Sequence, residues 1–170
     1  MKQMLFLSLI FGFALNVSAQ KIKEREIDKF TKLENITTSW ETLYTRTIFP
    51  SGKYSFGFYI KKQGESIYTI FAEITTPECM KYDSGNGITL LLLNGETITL
   101  ETAYTGVSGA VADNVWRFKT SFVLSEDDVR KLKVTDISDV RLTTIDTYYD
   151  FELKDKKRSL LKRMLVMLDE

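Results

Sequence analysis

Residues 88–100, which read ITLLLLNGETITL, constrain the fold more than any other part of the chain. Asn94-Gly95 between two runs rich in Ile, Leu and Thr predicts a two-residue hairpin, because a type I′ turn needs positive φ at both central residues. The first arm is apolar on both faces, which places it in the middle of a sheet covered twice. The second arm sets Ile98 and Leu100 against Thr97, Thr99 and Glu101, and so has one wet face. A sheet built outward from this pair is the expected core.

Period-2 patterning continues on both sides. After the Pro50-Ser51-Gly52 turn, Tyr54, Phe56, Phe58 and Ile60 alternate with Ser55, Gly57, Tyr59 and Lys61. The loop at residues 62–65 returns the chain into residues 67–75, where Tyr68, Ile70, Ala72 and Ile74 share a face. Aromatic stripes of this kind can form carbohydrate platforms. Half-buried strands are where such residues ordinarily sit, so core filling is the favoured reading. Residues 115–124 form another strand, with Trp116, Phe118, Thr120 and Phe122 inward and Arg117, Lys119 and Ser121 outward.

Toward the N-terminus the pattern is weaker. Residues 21–25 read as a charged, mobile stub. Over residues 26–45, Ile27, Phe30, Ile36, Trp40 and Leu43 are the expected buried positions, on two short strands broken near residues 32–34. Asn35-Ile36-Thr37 is formally a glycosylation sequon, but a Thr-rich strand is the favoured reading. Residues 76–87 form a turn-rich connector; Asp83, Asn86 and two glycines there lack the alternate-position spacing of a calcium loop.

Two helices follow from local chemistry. Ser125 with Asp128 three residues on is a capping-box start, and the acidic first turn suits the helix dipole. Val129 and Leu132 bury this short helix, which ends near Val134. Residues 137–145 and 148–153 make the last hairpin around Asp146-Thr147. In the tail, Leu160, Leu161, Met164, Leu165 and Leu168 form one helical stripe, flanked by Lys156, Lys157, Arg158, Lys162 and Arg163. A basic amphipathic helix can lie on an anionic membrane, but a sheet with a bare apolar face needs a lid, and the lid is the favoured role.

The resulting fold class is mainly β (α+β): an antiparallel sandwich or partly closed barrel of about eight strands, with one short helix and a C-terminal helix. Residues 1–19 read as a signal peptide and residues 20–170 as a single β-rich domain. Lys2 precedes an apolar run from Met4 to Leu15, and Val17-Ser18-Ala19 offers small residues for cleavage after Ala19. That run is well short of the roughly 20 residues that cross a bilayer. A periplasmic or secreted location is therefore expected.

Composition narrows the chemistry. The 23 basic and 23 acidic residues balance, and removal of the leader takes only Lys2 with it, so a nucleic-acid partner is not expected. The chain contains no histidine and one cysteine, Cys79. Ser-His-Asp and Cys-His nucleophiles, histidine-ligated metals and thiolate clusters are thereby excluded. No cofactor and no catalytic residue is expected, and Cys79 is expected to be buried, as unpaired thiols usually are.

Several short pieces look familiar together. Residues 27–31 (IDKFT), 92–96 (LLNGE), 140–144 (VRLTT) and 150–153 (DFEL) resemble a group of small exported Bacteroidetes proteins without an assigned biochemical function. The resemblance implies a periplasmic or secreted bacterial protein and carries over no catalytic residues. Lys32 stands where that group has glycine.

Three functional classes follow. The favoured one is an exported non-catalytic module that binds a protein or glycan, or serves the envelope structurally. Its first candidate surface is the glycine-containing loop at residues 104–114, with Tyr104, Thr105, Ser108, Asp113 and Asn114 as the candidate contacts. The second is a small apolar ligand carrier, which requires an internal cavity of at least roughly 300 Å³. The third is a carboxylate-dependent hydrolase, for which Asp83, Asp113, Asp146 and Asp150 are the nominal candidates.

Overall fold

The computed structural model describes residues 21–48, 52–83, 85–102, 105–112 and 115–170. The leader lies outside them, as do Tyr104, Asp113 and Asn114. Thirteen strands run as β1 (Ile22–Ile27), β2 (Glu34–Thr38), β3 (Glu41–Ile48), β4 (Gly52–Gln63), β5 (Ile67–Thr76), β6 (Lys81–Tyr82), β7 (Gly87–Leu92), β8 (Thr97–Glu101), β9 (Gly106–Val107), β10 (Gly109–Ala112), β11 (Val115–Leu124), β12 (Ile137–Thr143) and β13 (Tyr148–Glu152). Helix α1 (Glu126–Val134) precedes the last hairpin, and the single turn α2 (Asp155–Arg158) leads into α3 (Leu160–Met167).

All pairings are antiparallel. The large sheet has the order β1-β2-β4-β5-β11-β10, with β3 also on β4; the small sheet has the order β13-β12-β7-β8; β6 and β9 form a separate ribbon. β4 is long enough to take β3 along its first half and β2 along its last three residues. The inner row Phe56, Phe58 and Ile60 is buried beside Ile70, Ala72 and Ile74 of β5 and Phe118 and Phe122 of β11. These residues meet Ile88, Leu90, Ile98, Leu100, Val140 and Leu142 of the small sheet in one core. The architecture is an antiparallel sandwich without barrel closure.

The central hairpin differs from expectation in two ways. Gly95 has φ 87° but Asn94 is not in the left-handed region; Gly95 donates its N–H to Leu92 O and Leu92 donates to Glu96 O. The loop is thus a type I turn closed by a left-handed glycine, with the Asn94 side chain accepting the Glu96 N–H, and not a type I′ turn. β7 does lie inside its sheet, but only one of its faces is covered. Ile88, Leu90 and Leu92 are buried, whereas Leu91 is exposed.

Five further readings are corrected by position in the sheet. Residues 22–27 are not a loose stub but edge strand β1, whose charges suit an edge that must not recruit further strands. Ile27, Phe30 and Trp40 are exposed, while Ile36 and Leu43 are buried as expected. Residues 26–45 hold parts of three strands, with the break at the β1–β2 turn. Part of the supposed loop is strand: β9 pairs with β6, and β10 with β11. Cys79 is exposed on the connector after β5, where its neighbour Met80 and then Tyr82 turn inward instead.

Local chemistry at the helices is as read. Ser125 Oγ accepts the Asp128 N–H at 3.1 Å and the Asp128 carboxylate accepts the Ser125 N–H at 3.2 Å, completing the capping box. Leu160, Leu161, Met164, Leu165 and Leu168 are all buried. Leu161 meets residues of both sheets around a void of only about 10 Å³, so α3 closes the gap between them as a lid. Its end is fastened by Asp169, which accepts hydrogen bonds from Tyr68 Oη, from Lys62 Nζ at 2.8 Å and from Lys133 Nζ. Burial alone would raise the Asp169 pKa, but the hydrogen bonds from Lys133, Lys62 and Tyr68 outweigh it and hold it at about 2.

Candidate functional site

The outer face of the large sheet carries the most distinctive surface among the described residues. Strand alternation sends Tyr59 of β4 and Phe71 of β5 outward while Phe58 and Ile70 point in. Tyr59 and Phe71 are direct cross-strand partners, and their rings stack with centroids 4.9 Å apart and planes inclined by 8°. Trp40, from the link between β2 and β3, extends this row, its ring 6.2 Å from Tyr59 and tilted by 50°. Trp40 is 48% exposed.

The indole lies where a side chain would otherwise stand. A Cβ placed on Gly57 would sit 2.4 Å from Trp40 Cζ2, so only glycine leaves room for the ring against the strand. Beside the ring pair lies a groove of about 370 Å³, lined by Lys23, Glu24, Thr37, Thr38, Trp40, Tyr59 and Lys61. On the same face Glu73, which is opposite both Gly57 and Lys119, pairs with Arg117 at 3.1 Å and Lys119 at 3.8 Å. The surface thus offers the half-exposed indole and the outer edges of the stacked Tyr59–Phe71 pair, bordered by hydrogen-bonding side chains. That combination recognises ligands having both apolar faces and hydroxyls.

The candidate loop contacts are placed differently. Thr105 is exposed, but Ser108 is buried, its Oγ accepting the Met80 N–H at 2.9 Å while its own N–H bonds Met80 O at 2.9 Å. Ser108 therefore fastens the β6–β9 ribbon. Tyr104, Asp113 and Asn114 lie outside the described residues. Asn35 of the sequon is buried in β2, where an attached glycan has no room.

The nominal catalytic carboxylates serve local structure. Asp150 accepts two bonds from Arg141, at 2.7 and 2.8 Å, and the guanidinium holds its carboxyl below the usual range. Asp146 lies 3.8 Å from Lys81 Nζ, and Asp83 closes a turn whose Asn86 side chain accepts its N–H. None of the three lines a groove named here. Among the described residues no three Cys, Asp or Glu side chains are grouped to hold a metal ion. No described helix is long and apolar enough to cross a membrane.

The sequence pattern assigns Trp40 and the aromatic stripes of residues 54–75 to the core, whereas Trp40, Tyr59 and Phe71 stand on the outer face. The available signal was Gly57, since an isolated glycine within a strand marks close approach by another group. No protein-family model matches the chain, and neither a curated protein nor a solved structure matches it.

Proposed function

We propose that the chain is an exported, non-catalytic module that binds a glycan across Trp40, Tyr59 and Phe71. The carrying observation is the solvent-facing aromatic row with Trp40 laid over Gly57. Packing alone does not require an indole on an outer face, and the groove beside it provides polar side chains at its rim. The leader pattern at residues 1–19 supports export to the periplasm or beyond. The lack of histidine and the single cysteine support binding without turnover.

An apolar ligand carrier is less well supported, because the void between the sheets is about 10 Å³ where roughly 300 Å³ is wanted. The test is a polysaccharide panel probed with purified residues 20–170 and with Trp40→Ala and Tyr59→Ala. Retention by at least one glycan, weakened about tenfold or more by Trp40→Ala, is the expected result; this equals the roughly 1.4 kcal/mol that one aromatic contact can contribute. Equal binding by Trp40→Ala, or binding to none of the panel, overturns the reading. Export is checked separately, by N-terminal sequencing of the secreted product, which should begin at Gln20.

A further inference from the structure

A second groove, also about 370 Å³, runs beside β3 and is lined by Thr42, Leu43, Tyr44, Thr45, Lys53, Lys154, Lys156 and Lys157. It brings four ammonium groups together and contains no carboxylate. Elsewhere many basic side chains have acidic partners: Arg117 and Lys119 share Glu73, Lys62 and Lys133 share Asp169, Arg141 holds Asp150, and Lys162 holds Asp136. The four groove lysines have no ion pair among the described residues. Asp155, their neighbour in sequence, is engaged by Arg158 at 3.0 Å. Like charges gathered without a counter-charge destabilise a fold slightly and favour an anionic ligand.

This groove lies along β3, the strand that Trp40 leads into. Thr42, on its wall, is the cross-strand partner of Gly57, the residue on which Trp40 rests, and Trp40 immediately precedes β3. Among the described residues β3 pairs only with β4, so its other edge faces the groove with no described strand beside it. A chain lying on Trp40 and Tyr59 can therefore continue past the start of β3 to the lysines. Lys61, at the rim of the first groove, also lacks an ion pair among the described residues.

We infer that the glycan is acidic: a polysaccharide whose neutral ring faces stack on Trp40, beside Tyr59, while its carboxylates meet Lys53, Lys154, Lys156 and Lys157. This inference rests on the glycan-binding reading and adds the charge of the ligand to it. The groove is concave and its one aliphatic side chain, Leu43, is buried, so no apolar group projects for insertion into a bilayer.

The experiment is affinity electrophoresis of residues 20–170 in gels containing polygalacturonate or a neutral β-glucan, at about 0.05 M and about 0.5 M salt. Variants are Trp40→Ala and the triple change Lys154→Ala, Lys156→Ala, Lys157→Ala; binding to anionic phospholipid vesicles is measured alongside. The expected result is retention by polygalacturonate, lowered about tenfold or more by high salt, by the triple change and by Trp40→Ala. Equal retention by the neutral glucan, unchanged in the triple variant, overturns the acidic assignment and leaves the glycan reading standing. Polygalacturonate retention that needs the lysines and ignores Trp40 overturns the aromatic platform. Binding to vesicles without retention by either polysaccharide overturns both.

Discussion

Both faces of β4 carry an aromatic residue, yet the two faces do different things. Inward, Phe56, Phe58 and Ile60 are 5%, 2% and 0% exposed and fill the space between the sheets. Outward, Gly57 is buried beneath the Trp40 indole and Tyr59 stands half-buried beside it. An aromatic ring in a strand is thus not core or surface by its chemistry; the second sheet decides, by covering one side only. The difference teaches that the outer rings pack on one another and on Gly57, outside the core, and keep part of their surface in water.

The strongest way to break this comparison is truncation on either side of one peptide bond. Phe58→Ala should destabilise the domain by about 3–5 kcal/mol, as loss of a buried ring does, whereas Tyr59→Ala should cost less than about 1 kcal/mol and reduce glycan retention. Chemical denaturation of both variants reads this directly, and equal losses would make the outer ring a packing residue.

Gly57→Ala comes next, since a methyl group there meets the indole. Because Trp40 is exposed and can swing aside, the cost should be about 1 kcal/mol, with ring displacement visible as a shift in tryptophan fluorescence and weaker retention. A spectrum identical to wild type would mean that the indole does not rest on β4.

A smaller effect sharpens the inner side, where the Tyr68-to-Ile74 row ends at the Asp169 clamp. The carboxyl has a folded pKa of about 2 against an ordinary value of 3.8, so its contribution is fully present above pH 4 and is lost as pH falls through about 2. Its side chain is 40% exposed, and solvent screening limits the contribution to about 1 kcal/mol. Asp169→Asn should therefore melt below wild type at pH 7, and the two melting curves should converge near pH 2.

The smallest effect is expected away from both faces. Lys32, at φ 61°, is the one non-glycine residue with left-handed backbone among the described residues. It closes the β1–β2 turn, donating its N–H to Asp28 O at 2.8 Å, in a place equivalent to that of Gly95 in the β7–β8 turn. Lys32→Gly should raise stability by about 0.5–1 kcal/mol and leave glycan retention unchanged. A drop in melting temperature would show that the lysine side chain contributes more than its backbone costs.

These contrasts also show what the sequence could reveal. Ile98 with Leu100, the Phe56-to-Ile60 alternation, the Ser125–Asp128 box and the Leu160-to-Leu168 stripe are legible because each is a local pattern with a local cause. Ile27, Phe30 and Trp40 were misplaced because apolar character predicts burial only once strand order is known, and β1 is an edge. The outer site was hidden for the same reason. Trp40 lies in the β2–β3 link and Gly57 on β4, and the lysine groove joins residues of β3, β4 and α2 with its preceding Lys154.

The clamp at Asp169 has a consequence for how the molecule is made. Its partner Tyr68 lies 101 residues earlier, on a hairpin that a ribosome completes long before the fastening emerges. Until then the mouth between the sheets stands open, with Leu43, Phe58 and Ile88 unshielded, and such long-separated contacts form slowly. Both sheets end by Glu152, so a nascent chain halted before residue 160 holds every strand named above but no lid, and its core stays open on that side until α3 arrives.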